Sequence, residues 1–158
     1  MRYVILLLVL AACTARGPTF NESSVPIGDN ATTLVVYRPT GFTGAATGWD
    51  VDINGATHCN LHNGAFYIDS LPLGKINISS SIWSAPGTTR LSFVGKPKTV
   101  YYVRLEADGG KAAASILAGA AGMFAAEGVS STGGPFLLTL VEEQEAMQEI
   151  KGMNQDCL

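Results

Sequence analysis

The chain has 158 residues, a formal net charge of −3 and only 15% charged residues. Its Lys and Arg residues form no basic patch, and nucleic-acid binding needs such a patch to neutralise phosphates, so that class is set aside. The length suits a leader followed by one domain with a single core. The 18 glycines, among many Ser, Thr and Asn residues, suit strands joined by turns.

Met1 and Arg2 open the chain with positive charge, and residues 3–10 (YVILLLVL) are an almost unbroken apolar run. The run is far below the roughly 20 apolar residues of a spanning helix, and with the small residues after it reads as a secretory signal. Leu10-Ala11-Ala12-Cys13 resembles the bacterial lipobox, in which the cysteine thiol takes a diacylglycerol and the new amino terminus is acylated. That resemblance implies a signal peptide over 1–12, cleaved before Cys13, and attachment to a membrane through lipid on Cys13. One acyl chain binds membranes only marginally, whereas several on one cysteine anchor stably. Thr14 follows the cysteine. By the same resemblance an aspartate there would favour the inner membrane, so the expected place is the outer membrane, facing the periplasm. Residues 13–31 are polar with two prolines and no apolar period, and read as a flexible tether.

The domain then runs from 32 to 158. Residues 32–38 (TTLVVYR) are β-branched and aromatic on both faces, as in a central strand that Pro39 ends. Trp49, Val51 and Ile53 alternate with Asp50, Asp52 and Asn54, the pattern of a half-buried strand. Asn54-Gly55 is the strongest hairpin signal, Asn63-Gly64 a second turn and Leu71-Pro72-Leu73-Gly74 a third. Ile76, Ile78 and Ile82 share a face, Leu91 and Phe93 continue the style, and Tyr101, Val103 and Leu105 alternate with Tyr102, Arg104 and Glu106. Short strands with turn signals about every 8–12 residues predict an all-β domain, a small antiparallel β-sandwich. Residues 112–134 form an Ala/Gly-rich insert. Its apolar stretch 112–126 (AAASILAGAAGMFAA) is too short, at about 1.5 Å per residue, to cross a roughly 30 Å hydrocarbon core as a helix. The insert is read as a loop, as a buried hairpin with Gly119-Ala120-Ala121-Gly122 supplying the turn, or as an arm for self-association or membrane contact. Residues 136–141 (FLLTLV) predict the last core strand, and Ala146, Met147, Ile150 and Met153 predict a C-terminal helix over 142–153 packed on the sandwich.

With Cys13 assigned to lipid, Cys59 and Cys157 remain as an even pair in an oxidising compartment. A bridge would close a loop of about 100 residues, worth ~4–5 kcal/mol by chain entropy, although real bridges often deliver less. The other reading is two separate buried thiols. His58, Cys59 and His62 are the only cluster with metal-ligand chemistry, but on a strand the two histidines share a face and the cysteine points away. Asp50, Asp52 and Asp69 offer carboxylates with no nucleophile-and-base pattern beside them, and no phosphate loop or dinucleotide fingerprint occurs. Tyr67, Trp83 and Tyr102 fall opposite the clearer apolar stripes, as core or edge packing or as an exposed shelf.

An ordered set of motifs resembles a family of bacterial lipoproteins known as domain of unknown function 2846. The motifs are Leu34-Val35-Val36-Tyr37-Arg38-Pro39, Val51-Asp52-Ile53-Asn54-Gly55, Leu61-His62-Asn63-Gly64-Ala65-Phe66-Tyr67, Leu71-Pro72-Leu73-Gly74-Lys75 and Tyr101-Tyr102-Val103-Arg104. Leu73 departs from the family's second proline, and the insert is long. The resemblance implies a β-rich lipoprotein and supplies no catalytic residues. The expectation is therefore a non-enzymatic envelope lipoprotein that binds or scaffolds, with no cofactor. Its partners would be the membrane and another envelope protein, peptidoglycan or a second copy. The alternative is an envelope metal-binding protein or hydrolase using His58, His62 and the nearby aspartates, which metal analysis of the purified protein separates from the first.

Overall fold

The computed structural model of the chain describes residues 15, 17–109 and 134–157. The signal segment 1–12, Cys13 and residues 112–133 of the insert lie outside the described residues. In chain order the elements are β1 (Ala31–Arg38), β2 (Trp49–Ile53), β3 (Ala56–Leu61), β4 (Ala65–Pro72), β5 (Gly74–Ile82), β6 (Ala85–Gly95), β7 (Thr99–Ala107), β8 (Phe136–Val141), α1 (Glu143–Ile150) and β9 (Asn154–Gln155). The domain is mostly β, in two sheets with one short C-terminal helix.

The apolar run of β1 is buried from Thr32 to Arg38 because this strand lies at the centre of a five-stranded sheet, order β8-β7-β1-β4-β9. It pairs antiparallel with β4, Ala31 facing Pro72 and Arg38 facing Ala65, and parallel with β7 from Thr32/Thr99 to Tyr37/Arg104. That sheet is mixed where an antiparallel arrangement was expected. Parallel neighbours need a long crossover, and the excursion of the chain through β5 and β6 in the other sheet supplies it. The second sheet, β3-β2-β5-β6, is antiparallel throughout. Asn54 (φ 52°) and Gly55 (φ 87°) both take the positive φ of a two-residue hairpin between β2 and β3. The turns at Asn63-Gly64 and Leu73 instead carry the chain from one sheet to the other and back.

Two apolar layers result. Between the sheets pack Leu34, Val36, Val51, Ile53, Leu61, Ile76, Ile78, Val103 and Leu105, and Trp49 meets Phe136 with ring centroids 4.3 Å apart. On the outer face of the five-stranded sheet, Val35, Tyr37, Phe66 and Tyr102 pack under Ala146 and Ile150 of α1. The helix is shorter than the periodicity predicts. Gly152, at φ 86°, turns the chain after it so that Met153 packs back and β9 pairs with β4.

From Gly17 onward the expected tether is docked rather than loose. The Gly17 amide donates to the Gln155 carbonyl (3.0 Å), the Phe20 amide to the Met153 carbonyl (2.9 Å) and the Gln155 amide to the Pro18 carbonyl (2.9 Å). Phe20 stands edge-on to Phe66 at 5.2 Å, and Ala15 is buried. β9 is an edge strand, and an edge left open exposes unpaired backbone groups; residues 17–20 satisfy them. A Cβ on Gly17 would overlap the Gln155 carbonyl, so only glycine lets the two segments approach this closely.

Candidate functional site

Cys59 of β3 and Cys157 after β9 are joined by a disulfide with Cα atoms 5.5 Å apart. The bridge fixes the C-terminal tail beside β4, where the Asp156 amide donates to the Phe66 carbonyl at 2.8 Å. Asp156 also accepts from the His62 amide at 2.8 Å, and its Oδ2 lies 2.8 Å from His62 Nδ1. Asp156 was not singled out in the sequence, since nothing in the spacing of residues 62 and 156 joins them. They meet because α1 returns the chain to the start of β4.

The candidate residues separate into different places. His58 Nδ1 stands 3.0 Å from Asp69 Oδ2, and the Tyr67 hydroxyl donates to the same oxygen at 3.1 Å. Burial, with Asp69 adding to it, pushes the Tyr67 phenol up to about 12. His62 belongs to Asp156. The two histidines are thus held by different carboxylates. Asp50 and Asp52 lie on the outer face of the four-stranded sheet, engaged by its polar rows. Asp50 accepts from Asn60 Nδ2 at 2.7 Å and Asp52 from Thr57 Oγ1 at 2.6 Å. Among the described residues, one group of three metal-capable side chains converges, Cys59, Asp156 and Cys157. Its two sulfurs are bonded to each other and so offer no thiolate.

The three shelf aromatics also part company. Tyr102 is buried under α1, Tyr67 is half-buried at the margin of the inter-sheet core, and Trp83 is 87% exposed.

A further cluster was missed in the sequence. Arg38 is a fully buried cation with its guanidinium 3.4 Å from the Trp49 ring centroid. Its Nη1 donates to the carbonyls of Thr47 (2.7 Å) and Leu61 (3.2 Å), and Nη2 to that of Gly44 (2.6 Å). Burial lowers its pKa to about 10. Three carbonyls and an aromatic face replace the water a guanidinium normally keeps. The signal available was a charged residue ending an otherwise apolar strand. Above the cluster, residues 39–48 form a loop, and a cleft of about 210 Å³ opens between it and the end of β7, lined by Arg38, Thr40, Phe42, Trp49, Asn63 and Glu106. Gly44, at φ 68°, lies against the Trp49 indole where a side chain would collide. Among the described residues no helix is long and apolar enough to cross a membrane. No protein-family model matches the chain, and no curated protein matches it.

Proposed function

We propose that this chain is a lipid-anchored protein of the bacterial cell envelope, whose β-sandwich is a non-enzymatic binding or scaffolding module on the outer membrane, facing the periplasm. The observation that carries the reading is Leu10-Ala11-Ala12-Cys13 directly after a short apolar run. The other two of the three cysteines are bonded to each other, which leaves Cys13 as the odd one and suits an oxidising compartment. A binding or scaffolding role is favoured over hydrolysis because His58 and His62 stand on separate carboxylates and do not converge with Asp50 or Asp52. The resemblance to the lipoprotein family of domain of unknown function 2846 points the same way.

Intact-mass measurement of the protein from the membrane fraction tests the anchor. The expected mass is that of the chain from Cys13 onward plus diacylglycerol and a third acyl chain, and Cys13→Ser should accumulate uncut and unlipidated. A wild-type protein without acyl addition overturns the reading.

A further inference from the structure

Strand ends far apart in sequence meet at one end of the sandwich. β1 ends at Arg38 and the chain returns at Trp49; β5 ends at Ile82 and the chain returns at Ala85; β7 ends at Ala107 and the chain returns at Phe136. Arg38 over Trp49, Trp49 against Phe136, and the pairs Asp50/Ser81 and Ala107/Phe136 place these strand ends together. The first connection, 39–48, holds Phe42 at 99% exposure, and the second, 83–84, holds Trp83 at 87%. Neither contains a charged residue.

The opposite end exposes aliphatic side chains, Ile27, Leu73 and Val94, but sets them beside Lys75, Lys96 and the Asp29–Lys98 ion pair (2.8 Å). The turns of Phe42 and Trp83 carry no charge themselves, and the charged groups that share the cleft with Phe42 are the buried Arg38 and Glu106 of β7. Their loop is also pinned. The buried Arg38 holds the 39–48 loop by the Thr47 and Gly44 carbonyls, so Phe42 is presented on an ordered base and little ordering remains to be done on contact.

We infer that this end of the sandwich is a lipid-contact face, with Phe42 and Trp83 seated in the headgroup region of the bilayer. The inference rests on the envelope-lipoprotein reading for its membrane. Trp is enriched at the membrane–water interface, where an amphipathic ring has both an apolar and a wet side, and uncharged turn tips avoid the cost of dehydrating a charge. A soluble domain seldom leaves large aromatic rings this open without a use. The lipid on Cys13 would hold the protein at the bilayer, and the two rings would fix which end faces it.

The test uses the full chain, purified from membranes and reconstituted in vesicles of phosphatidylethanolamine and phosphatidylglycerol carrying brominated acyl chains. The chain has two tryptophans, and Trp49 is buried, so Trp83→Phe isolates the Trp83 emission by difference. Trp83 should lose most of its emission to the brominated chains. Phe42→Ser should weaken that quenching, and Ile27→Ser at the other end should leave it unchanged. Unquenched Trp83 in a protein whose mass carries the acyl chains overturns the contact face and leaves the anchor standing. A mass without lipid overturns the anchor instead, and quenching of the same chain mixed with the vesicles still decides the contact. Trp83 shielded from acrylamide yet untouched by brominated lipid also overturns it, in favour of a second copy or another protein.

Discussion

The two sheets share a core but differ in what lies outside it. The five-stranded sheet is apolar on both faces, with α1 laid over its outer side, Phe20 packed into the same layer and residues 17–20 paired along the β9 edge. The four-stranded sheet faces solvent with rows of Asp, Asn, Ser and Thr joined by hydrogen bonds, such as Ser92 Oγ to Asn77 Oδ1 at 2.8 Å. The contrast shows how a short chain makes a three-layer arrangement on one side only. A strand such as β1, with no polar face, requires a cover on each side, whereas β2, with burial alternating residue by residue, requires one.

The sharpest way to break that comparison is to remove the ring that joins the outer layer to its sheet. Phe66 is buried, stacks edge-on with Phe20 and contacts the layer under α1. Phe66→Ala should cost about 3–5 kcal/mol in denaturant unfolding, from lost burial and the cavity left behind. A cost near zero would mean that the outer layer adds nothing to the cooperative unit.

The bridge gives the next largest effect. Cys157→Ser should lower stability by about 2–5 kcal/mol. Because β9 is only Asn154–Gln155 and carries residues 17–20 on its edge, amide exchange at Gly17 and Phe20 should rise more than at Leu34. Equal rises at all three sites would place the bridge's effect on the whole domain instead.

Alkaline titration sharpens the contrast further, since Tyr102 lies in the outer layer. Burial, with Glu143 and Glu22 adding to it, pushes its phenol up to about 12. The fold therefore keeps the neutral phenol while the unfolded chain ionises near pH 10. The sign follows: this contribution is fully present below pH ~10 and is lost as pH rises toward ~12. Arg38, lowered to about 10, acts in the opposite direction over the same window, but Tyr67 and Tyr37 are raised by burial like Tyr102. Thermal stability should fall above pH 10, and Tyr102→Phe should flatten that fall. A Tyr102→Phe profile parallel to wild type would refute the assignment.

The smallest effect belongs to the solvent face. Asp52→Ala removes the bonds to Thr57 and Ser79 on an open sheet surface. It should shift stability by no more than about 0.5–1 kcal/mol. A loss as large as that of Phe66→Ala would show that the polar rows are a third structural layer in their own right.

Much of this organisation was legible in the residues. The two-faced β1, the alternation of β2, the Asn54-Gly55 turn, the pairing of Cys59 with Cys157 and the helix carrying Ala146 and Ile150 all follow from local period or from parity. What escaped depends on long-range return of the chain. The parallel β1–β7 pairing is set by where the β5–β6 excursion ends, and no local pattern encodes it. Residues 17–20 look like a tether because their anchoring is by backbone amides and carbonyls, which every sequence has. The Arg38 cradle was missed for a similar reason, since its partners are the carbonyls of Gly44, Thr47 and Leu61. Asp156, sought by neither charge nor spacing, is brought to His62 by the turn after α1.

The disulfide has a topological consequence. It closes residues 59 to 157 into a covalent ring, with a sequence separation of 98. One proteolytic cut anywhere inside that ring, including between 110 and 133, opens the ring without dividing the molecule. A protein held at Cys13 would keep both pieces after such a nick, and would shed the distal one only when a second event, reduction of the bridge, coincides with loss of the packing between the sheets.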